Sequence, residues 1–310
     1  MKIWGCKLKF IIKYTSKKCI HILGAFFALL GILLTVAECV HWMFGSNIIY
    51  EVMREHAEVM LFICIIVAIV RYKAPLNYEY FLKGSDIKVN MQVKDVLSSK
   101  EAIIIPTNTT FDTKMEGEFI SVKSVQGQFQ RKYFNNNLST LDSLLENGLE
   151  GYSYNLLNRD KSKNKRYPIG TVSKITYNDQ HYYFVAIADV NEYGKTVNTS
   201  FENIQLALEG IWHQIGSIGH IENLAIPLIG TGRAGIKDAS RERVIKEIIF
   251  SFVASAKERK ITEKLQICIH PSDLDSKELD LEKLNEYLKY MCEYRYTDVD
   301  NQIEGNVIEF

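Results

Sequence analysis

Apolar positions fall into two regimes along this chain. Residues 19–70 are apolar with few interruptions, whereas from residue 85 onward apolar residues recur at intervals of two or of three to four. Cys19 to Ala37 holds no Asp, Glu, Lys or Arg, and the run continues past Glu38 through Val40, Trp42, Met43 and Phe44. About 20 helical residues cross a hydrocarbon core, so this stretch is long enough to span. A cleaved signal peptide would have a shorter apolar part and no second apolar run close behind it. That second run, Val59 to Val70, has only 12 residues and must recruit Ile48 to His56, with Glu51, Arg54 and Glu55, to cross. Gly45-Ser46-Asn47 supplies a tight turn. The pattern predicts a two-helix transmembrane hairpin over residues 19–72.

Basic flanks orient such a hairpin. A basic N-terminus, residues 1–18, carries Lys2, Lys7, Lys9, Lys13, Lys17 and Lys18 without an acid, and Arg71 and Lys73 follow the second run. Both termini are therefore expected in the cytoplasm. Glu51, Glu55 and Glu58 fall at i, i+4 and i+7 on one helix face. Two readings stand for them: interfacial residues just outside the hydrocarbon, or a stripe facing protein or water in an oligomer.

Residues 73–84 read as a juxtamembrane connector, and residues 85–310 as a cytoplasmic α/β domain. Strand patterns occur at Asp86–Met91, Ala102–Pro106, Leu224–Ile229 and Leu265–His270, with a hairpin of Gly170–Tyr177 and His181–Val190 around Asn178-Asp179. Helix patterns cover Val125–Phe134, Leu138–Leu149, Thr199 to about Ile215, Ala239 to about Lys257 and Leu281–Tyr294. Ser139 with Asp142, and Thr199 with Glu202, are spaced as capping pairs. Strands alternating with helices, plus one hairpin, predict a mixed sheet covered on both faces.

Composition narrows the chemistry. Lys plus Arg equals Asp plus Glu at 37 each, so no net charge points to nucleic acid. The basic loop Asp160–Arg166 lacks the interleaved aromatics of a single-strand binder. Six scattered cysteines without CxxC spacing read as buried thiols in a reducing compartment. No HExxH or Cys/His cluster indicates a metal site.

One stretch carries ligand chemistry: Leu224 to Asp238, LAIPLIGTGRAGIKD. A buried strand enters a loop where Gly230, Gly232 and Gly235 let the backbone approach a ligand. Amides at the following helix start would meet a phosphate with the positive end of the helix dipole. Gly230-x-Gly232-x-x-Gly235 matches the dinucleotide fingerprint literally. It comes late in the chain, however, and the next strand ends in His270-Pro271, with no acid until Asp273. No Lys-Ser or Lys-Thr pair makes it a P-loop.

IPLIGTGRAGI, residues 226–236, resembles the second phosphate-binding loop of macro domains, which bind ADP-ribose. Lys94-Asp95-Val96 resembles their Gly-Asp-Ile motif, and AIIIPTN, residues 102–108, their Ala-Ile-Val-Asn-Ala-Ala-Asn strand. The resemblance implies that Asp95 accepts from the adenine amino group and that Asn108 faces the distal ribose. It implies a phosphate loop of Gly230, Thr231, Gly232, Arg233, Ala234 and Gly235, with Arg233 pairing with a phosphate or remaining a solvated tip. Phe111 and Asp112 either shape the distal pocket or anchor their loop. His270 either stacks on adenine or is structural, and Trp212 belongs to the core.

This sequence departs from the macro pattern at Ile105, Pro106 and Thr107, and its first glycine-rich loop is reduced to SVQGQF with Gly127 alone. The departure favours binding over hydrolysis and a non-enzymatic role without a cofactor. More narrowly, PTNTTFDT (106–113), SVQGQFQRKYF (124–134), GTVSKI (170–175) and IPLIGTG resemble the macro domains of Thoeris anti-phage systems, whose membrane-linked version has two N-terminal transmembrane helices. That resemblance implies a macro-type α/β/α sandwich in a bacterial inner-membrane effector. A TIR-domain partner would make an ADP-ribose-derived signal, and the effector would sense it, assemble as a homo-oligomer and disrupt the bilayer. The alternatives are a membrane-anchored ADP-ribosyl hydrolase, a nicotinamide-dependent oxidoreductase and a constitutive channel.

Overall fold

The computed structural model describes residues 2–115, 120–135, 137–159, 163–218, 222–232, 236, 239–275 and 279–293. The chain separates into two units, 1–76 and 77–310. In the first, α1 (Lys2–Lys17) leads into α2 (Cys19–Phe44), followed by α3 (Ile48–Glu55) and α4 (Ala57–Arg71). Gly45 ends α2 at φ 63°, its N–H bonded to the His41 carbonyl, a left-handed cap that costs glycine little.

The 26 residues of α2 make it the one helix among the described residues long and apolar enough to cross a membrane. Its length is about 39 Å against a hydrocarbon core of about 30 Å. The expected second span is broken. His56 leaves helical geometry at φ −117°, and the 15-residue α4 reaches only about 22 Å. The charges of Glu51, Arg54 and Glu55 thus sit on a separate short helix. Glu51, Glu55 and Glu58 are all exposed, with Glu58 beyond the break.

Helices α2 and α4 nonetheless run antiparallel. His21 meets Tyr72 at 6.0 Å between ring centroids, and His41 meets Tyr50 at 5.9 Å at the other end. Buried Ala37, Cys64 and Ala68 line the contact, small residues that let helices approach closely. Glu38 accepts a hydrogen bond from the Tyr50 hydroxyl. Phe27, Ile32, Phe62 and Val70 are exposed, a larger apolar surface than a water-facing unit carries.

The second unit holds, in order, β1 (Asn77–Phe81), β2 (Lys88–Val93), β3 (Ala102–Asn108), α5 (Val125–Tyr133), α6 (Leu138–Gly148), β4 (Asn155–Leu156), β5 (Lys165–Arg166), β6 (Val172–Tyr177), β7 (Gln180–Val190), β8 (Thr196–Val197), α7 (Phe201–Ile218), β9 (Leu224–Pro227), α8 (Arg241–Glu258), β10 (Lys264–Ile269) and α9 (Leu281–Glu293). The main sheet runs β1-β2-β10-β9-β3-β7-β6, with β8 on the end of β7. Its five central strands are parallel, and β1 and β6 are antiparallel edges. This is the expected mixed sheet.

Residues 73–84 are not only a connector, since β1 inside them pairs with β2. The hairpin turn is where the sequence placed it: Asn178 and Asp179 take φ 50° and 57°, the pair of positive values a two-residue hairpin needs. Both capping pairs shift. Asn137 caps α6 by accepting from Thr140 N, while Asp142 instead accepts from Thr113 Oγ1 at 2.7 Å. Helix α7 begins at Phe201, too late for Thr199 and Glu202 to form its box.

Alternation in the strands splits the core between two faces. Ile103 and Ile105 of β3, with Tyr182 and Phe184 of β7, pack against Phe129 and Phe134 after α5 begins and Leu141 and Leu145 of α6. Tyr183 and Val185 point the other way, toward α7. There Trp212 is buried, its ring 5.3 Å from Phe252 and its Nε1 donating to Ser251 Oγ at 3.0 Å, as a core tryptophan should. Gly210 brings α7 directly onto the Gly170 carbonyl, where an added Cβ would lie 2.0 Å from that oxygen. Gly210→Ala is expected to cost about 1–3 kcal/mol through overpacking against backbone, read as a lower denaturation midpoint with an unchanged m-value.

Candidate functional site

Strands β9 and β3 pair only through Ala102–Leu224 and Ile103–Ala225. Farther on each carries a proline, Pro106 and Pro227, which has no N–H to give a ladder. The strands separate there. A cleft of about 870 Å³ opens over the C-terminal ends of the parallel strands, the usual ligand position in an α/β sheet.

Asp95 stands at one end of this cleft, just past β2. Its Oδ1 accepts from Leu97 N at 3.0 Å, which caps the short turn after the strand and fixes the carboxylate. Oδ2 has no partner among the described residues. Gly230, Thr231 and Gly232 line the cleft from the loop after β9. Gly230 has φ 74°, with Ile204 and Ile236 packed where a side chain would go. Gly232 faces open space. Arg233, Ala234 and Gly235 lie outside the described residues.

Asn108 lines the cleft at the end of β3, where a bulge shifts the register after Thr107. Its amide is largely committed to the next turn. Oδ1 accepts from Asp112 N and Thr110 Oγ1, at 3.1 and 3.2 Å, and Nδ2 donates to Asp112 Oδ2 at 3.1 Å. Phe111 and Asp112 do not line the cleft. Phe111 is fully buried at φ 50°, its ring edge-on to Tyr167. Asp112 pairs with Arg159 at 3.3 Å, both side chains 1% exposed. Of the two roles open to these residues, anchoring the loop is the one their contacts fit. Gly127 is likewise a packing glycine, since an added Cβ would lie 2.1 Å from the Ser121 carbonyl oxygen.

The helix facing the cleft is not the one expected. Ser240 caps α8 by accepting from Arg243 N, and no α8 residue lines the cleft. Instead Ser124, Val125 and Gln126, at the start of α5, form part of the wall. Ser124 Oγ accepts from Gly127 N at 3.0 Å. The Val125 and Gln126 amides have no intrahelical acceptor, so the positive end of the α5 dipole meets the cleft. The glycine loop points to α8, and although the helix pattern starts at Val125 as expected, nothing in the sparse SVQGQF stretch marks that start as part of the cleft.

Lys94, Lys123 and Lys195 add positive charge to the lining, and Tyr193 of the β7–β8 loop stands 77% exposed beside it. His270 lines the cleft with Nδ1 2.7 Å from Ser272 Oγ. Cys268 also borders it, but burial pushes its thiol up to about 12, so it stays protonated and unreactive. Among the described residues no group of three or more His, Cys, Asp or Glu is placed to hold a metal.

Comparison with known proteins gives a consistent family. The family described as Thoeris protein ThsA, Macro domain, matches residues 89–270. Thoeris protein ThsA of Bacillus amyloliquefaciens (strain Y2) is 21% identical over 232 residues, covering 73% of this chain and 76% of that protein. Among solved structures, an Oceanobacillus iheyensis macrodomain with MES bound superposes with a TM-score of 0.47 at 13% identity, covering 69% of this chain and 96% of that one. A Trypanosoma brucei macrodomain in complex with ADP-ribose gives 0.43 at 8% identity, over 66% and 71%.

Proposed function

The chain belongs to the family of the Thoeris ThsA macro domain, and from that premise we propose that its cleft binds an ADP-ribose-derived nucleotide as a signal in anti-phage defence. The supporting observation is the grouping of a fixed carboxylate, Asp95, with a glycine loop and a helix start in one 870 Å³ cleft. A carboxylate suits an exocyclic amine, while amides and lysines suit a diphosphate.

In this reading a TIR-domain partner makes the signal, and no residue of the cleft performs chemistry. The ligand acts by binding one arrangement of the protein more tightly than another. That preference drives a homo-oligomer in which α2, with α3 and α4 together as a second crossing, disrupts the inner membrane. Both termini remain cytoplasmic.

Two measurements test the proposal. Calorimetry with ADP-ribose should show binding, and Asp95→Ala should weaken it tenfold or more, since a hydrogen bond to a charged group contributes about 1.5–3 kcal/mol. Equal affinity in both proteins would remove Asp95 from the site. Release of free ADP-ribose from an ADP-ribosylated protein by the wild type would instead establish a hydrolase.

A further inference from the structure

Helix α1 is too short to cross a bilayer, since its 16 residues reach only about 24 Å. A lone helix of that length is marginal in water. Residues four apart stack into rows along it. Phe10, Tyr14 and Lys18 form one row, with the two rings 6.2 Å apart and Lys18 Nζ 5.7 Å from the Tyr14 ring centroid. Leu8 and Ile12 form a second, 54% and 60% exposed. Beside these runs a third row of exposed lysines, Lys9, Lys13 and Lys17. No carboxylate occurs before Glu38, so this stretch supplies no counter-charge of its own. An exposed apolar row next to an exposed cationic row suits neither water nor hydrocarbon alone.

From these rows we propose that α1 lies along the cytoplasmic surface of the bilayer that α2 crosses. Leu8 and Ile12 enter the acyl boundary, and Lys9, Lys13 and Lys17 rest on the phosphates of anionic lipids. A basic amphipathic helix finds both of its solvents at that depth. The negative leaflet supplies the counter-charges that the chain lacks. The connection permits the arrangement. Lys18 alone separates α1 from α2, and it leaves helical geometry at φ −95° and ψ 10°. Its N–H lies 3.1 Å from both the Tyr14 and Thr15 carbonyls, a tightened last turn at which the axis can change direction. Because α2 already exceeds the hydrocarbon thickness, α1 begins at headgroup level.

This inference rests on the reading of α2 as a span, and two measurements on the full-length protein separate them. The first is amide hydrogen exchange in nanodiscs of phosphatidylcholine, with or without phosphatidylglycerol. Residues 5–17 should exchange about a hundredfold more slowly in the anionic discs, because each lysine gains several-fold at a negative surface. Salt at 1 M should erase the difference, since the screening length falls to about 3 Å. The triple variant Lys9→Gln, Lys13→Gln, Lys17→Gln should erase it too, whereas the three corresponding arginine substitutions should keep it. Equal exchange in the two lipids, or an anionic effect that survives the triple glutamine variant, overturns the proposal. Slowing that follows the number of copies per disc, and not the lipid charge, assigns this face to a second copy and overturns it as well. The second measurement is a carbonate wash of vesicles. Protein stripped by the wash overturns the span itself, whereas protein that stays while residues 5–17 ignore lipid charge overturns the α1 assignment alone.

Discussion

Replacing Arg159 with methionine is expected to lower the unfolding free energy of the second unit by about 3–5 kcal/mol, the usual cost of stranding one member of a buried ion pair. Asp112 would be left charged at 1% exposure, with Thr110 Oγ1 and Asn108 Nδ2 among its remaining donors. Arg159 does more than neutralise it. Its Nε donates to the Glu192 carbonyl and its Nη1 to the Lys163 carbonyl, at 3.1 Å each, so three separate segments loosen together. Urea denaturation of residues 77–310 would measure the loss. The double variant Arg159→Met with Asp112→Asn should recover a part of it, because an amide leaves no buried charge. A loss below about 1 kcal/mol in the single variant would show that the pair contributes little. Since Asn108 is held by the same turn, ligand affinity should fall along with stability.

That cluster marks a boundary of what the sequence reveals. The order of the longer strands and helices of the second unit was legible because those elements show their own period: AIIIP is apolar throughout, and Asn178-Asp179 can adopt positive φ. The clustering of Asp95, Asn108 and the glycine loop followed from their resemblance to one family. Arg159 was invisible. It directly precedes the basic loop Asp160–Arg166, and its partner lies 47 residues earlier. Local pattern carries no information about such a pairing. Strand β1 was missed for a related reason: Asn77–Phe81 alternates, but as an edge strand it has a half-exposed pattern that reads as a connector after an apolar run. The break at His56 likewise depends on helix geometry that composition does not fix. The start of α5 at Val125 is legible in the pattern, but its place in the cleft wall is not, because SVQGQF shows only one of the glycines a phosphate loop carries.

Gly232→Glu is expected to abolish nucleotide binding while leaving the fold intact, and its neighbour Gly230 explains why the two glycines differ. Gly232 is exposed, has no positive φ and has nothing within 4 Å of an added Cβ, so a side chain there extends into the cleft without strain. Gly230 sits at φ 74° with Ile204 Cδ1 2.8 Å from an added Cβ. Gly230→Ala should thus cost about 1–2 kcal/mol of stability from backbone strain alone. A glutamate at 232 places a carboxylate where a diphosphate is expected, and like charges brought together in an interface cost several kcal/mol. Affinity for ADP-ribose should therefore fall at least a hundredfold, about 2.7 kcal/mol, with the melting temperature of the free protein nearly unchanged. Gly232→Gln, of equal size and no charge, should lose much less, which separates repulsion from obstruction. In cells carrying the TIR-domain partner proposed above, Gly232→Glu should also eliminate the membrane disruption that the proposed function attributes to the signal. Disruption that persists in this variant, with binding lost in calorimetry, would disconnect the cleft from the membrane helices and leave α2 acting without a signal.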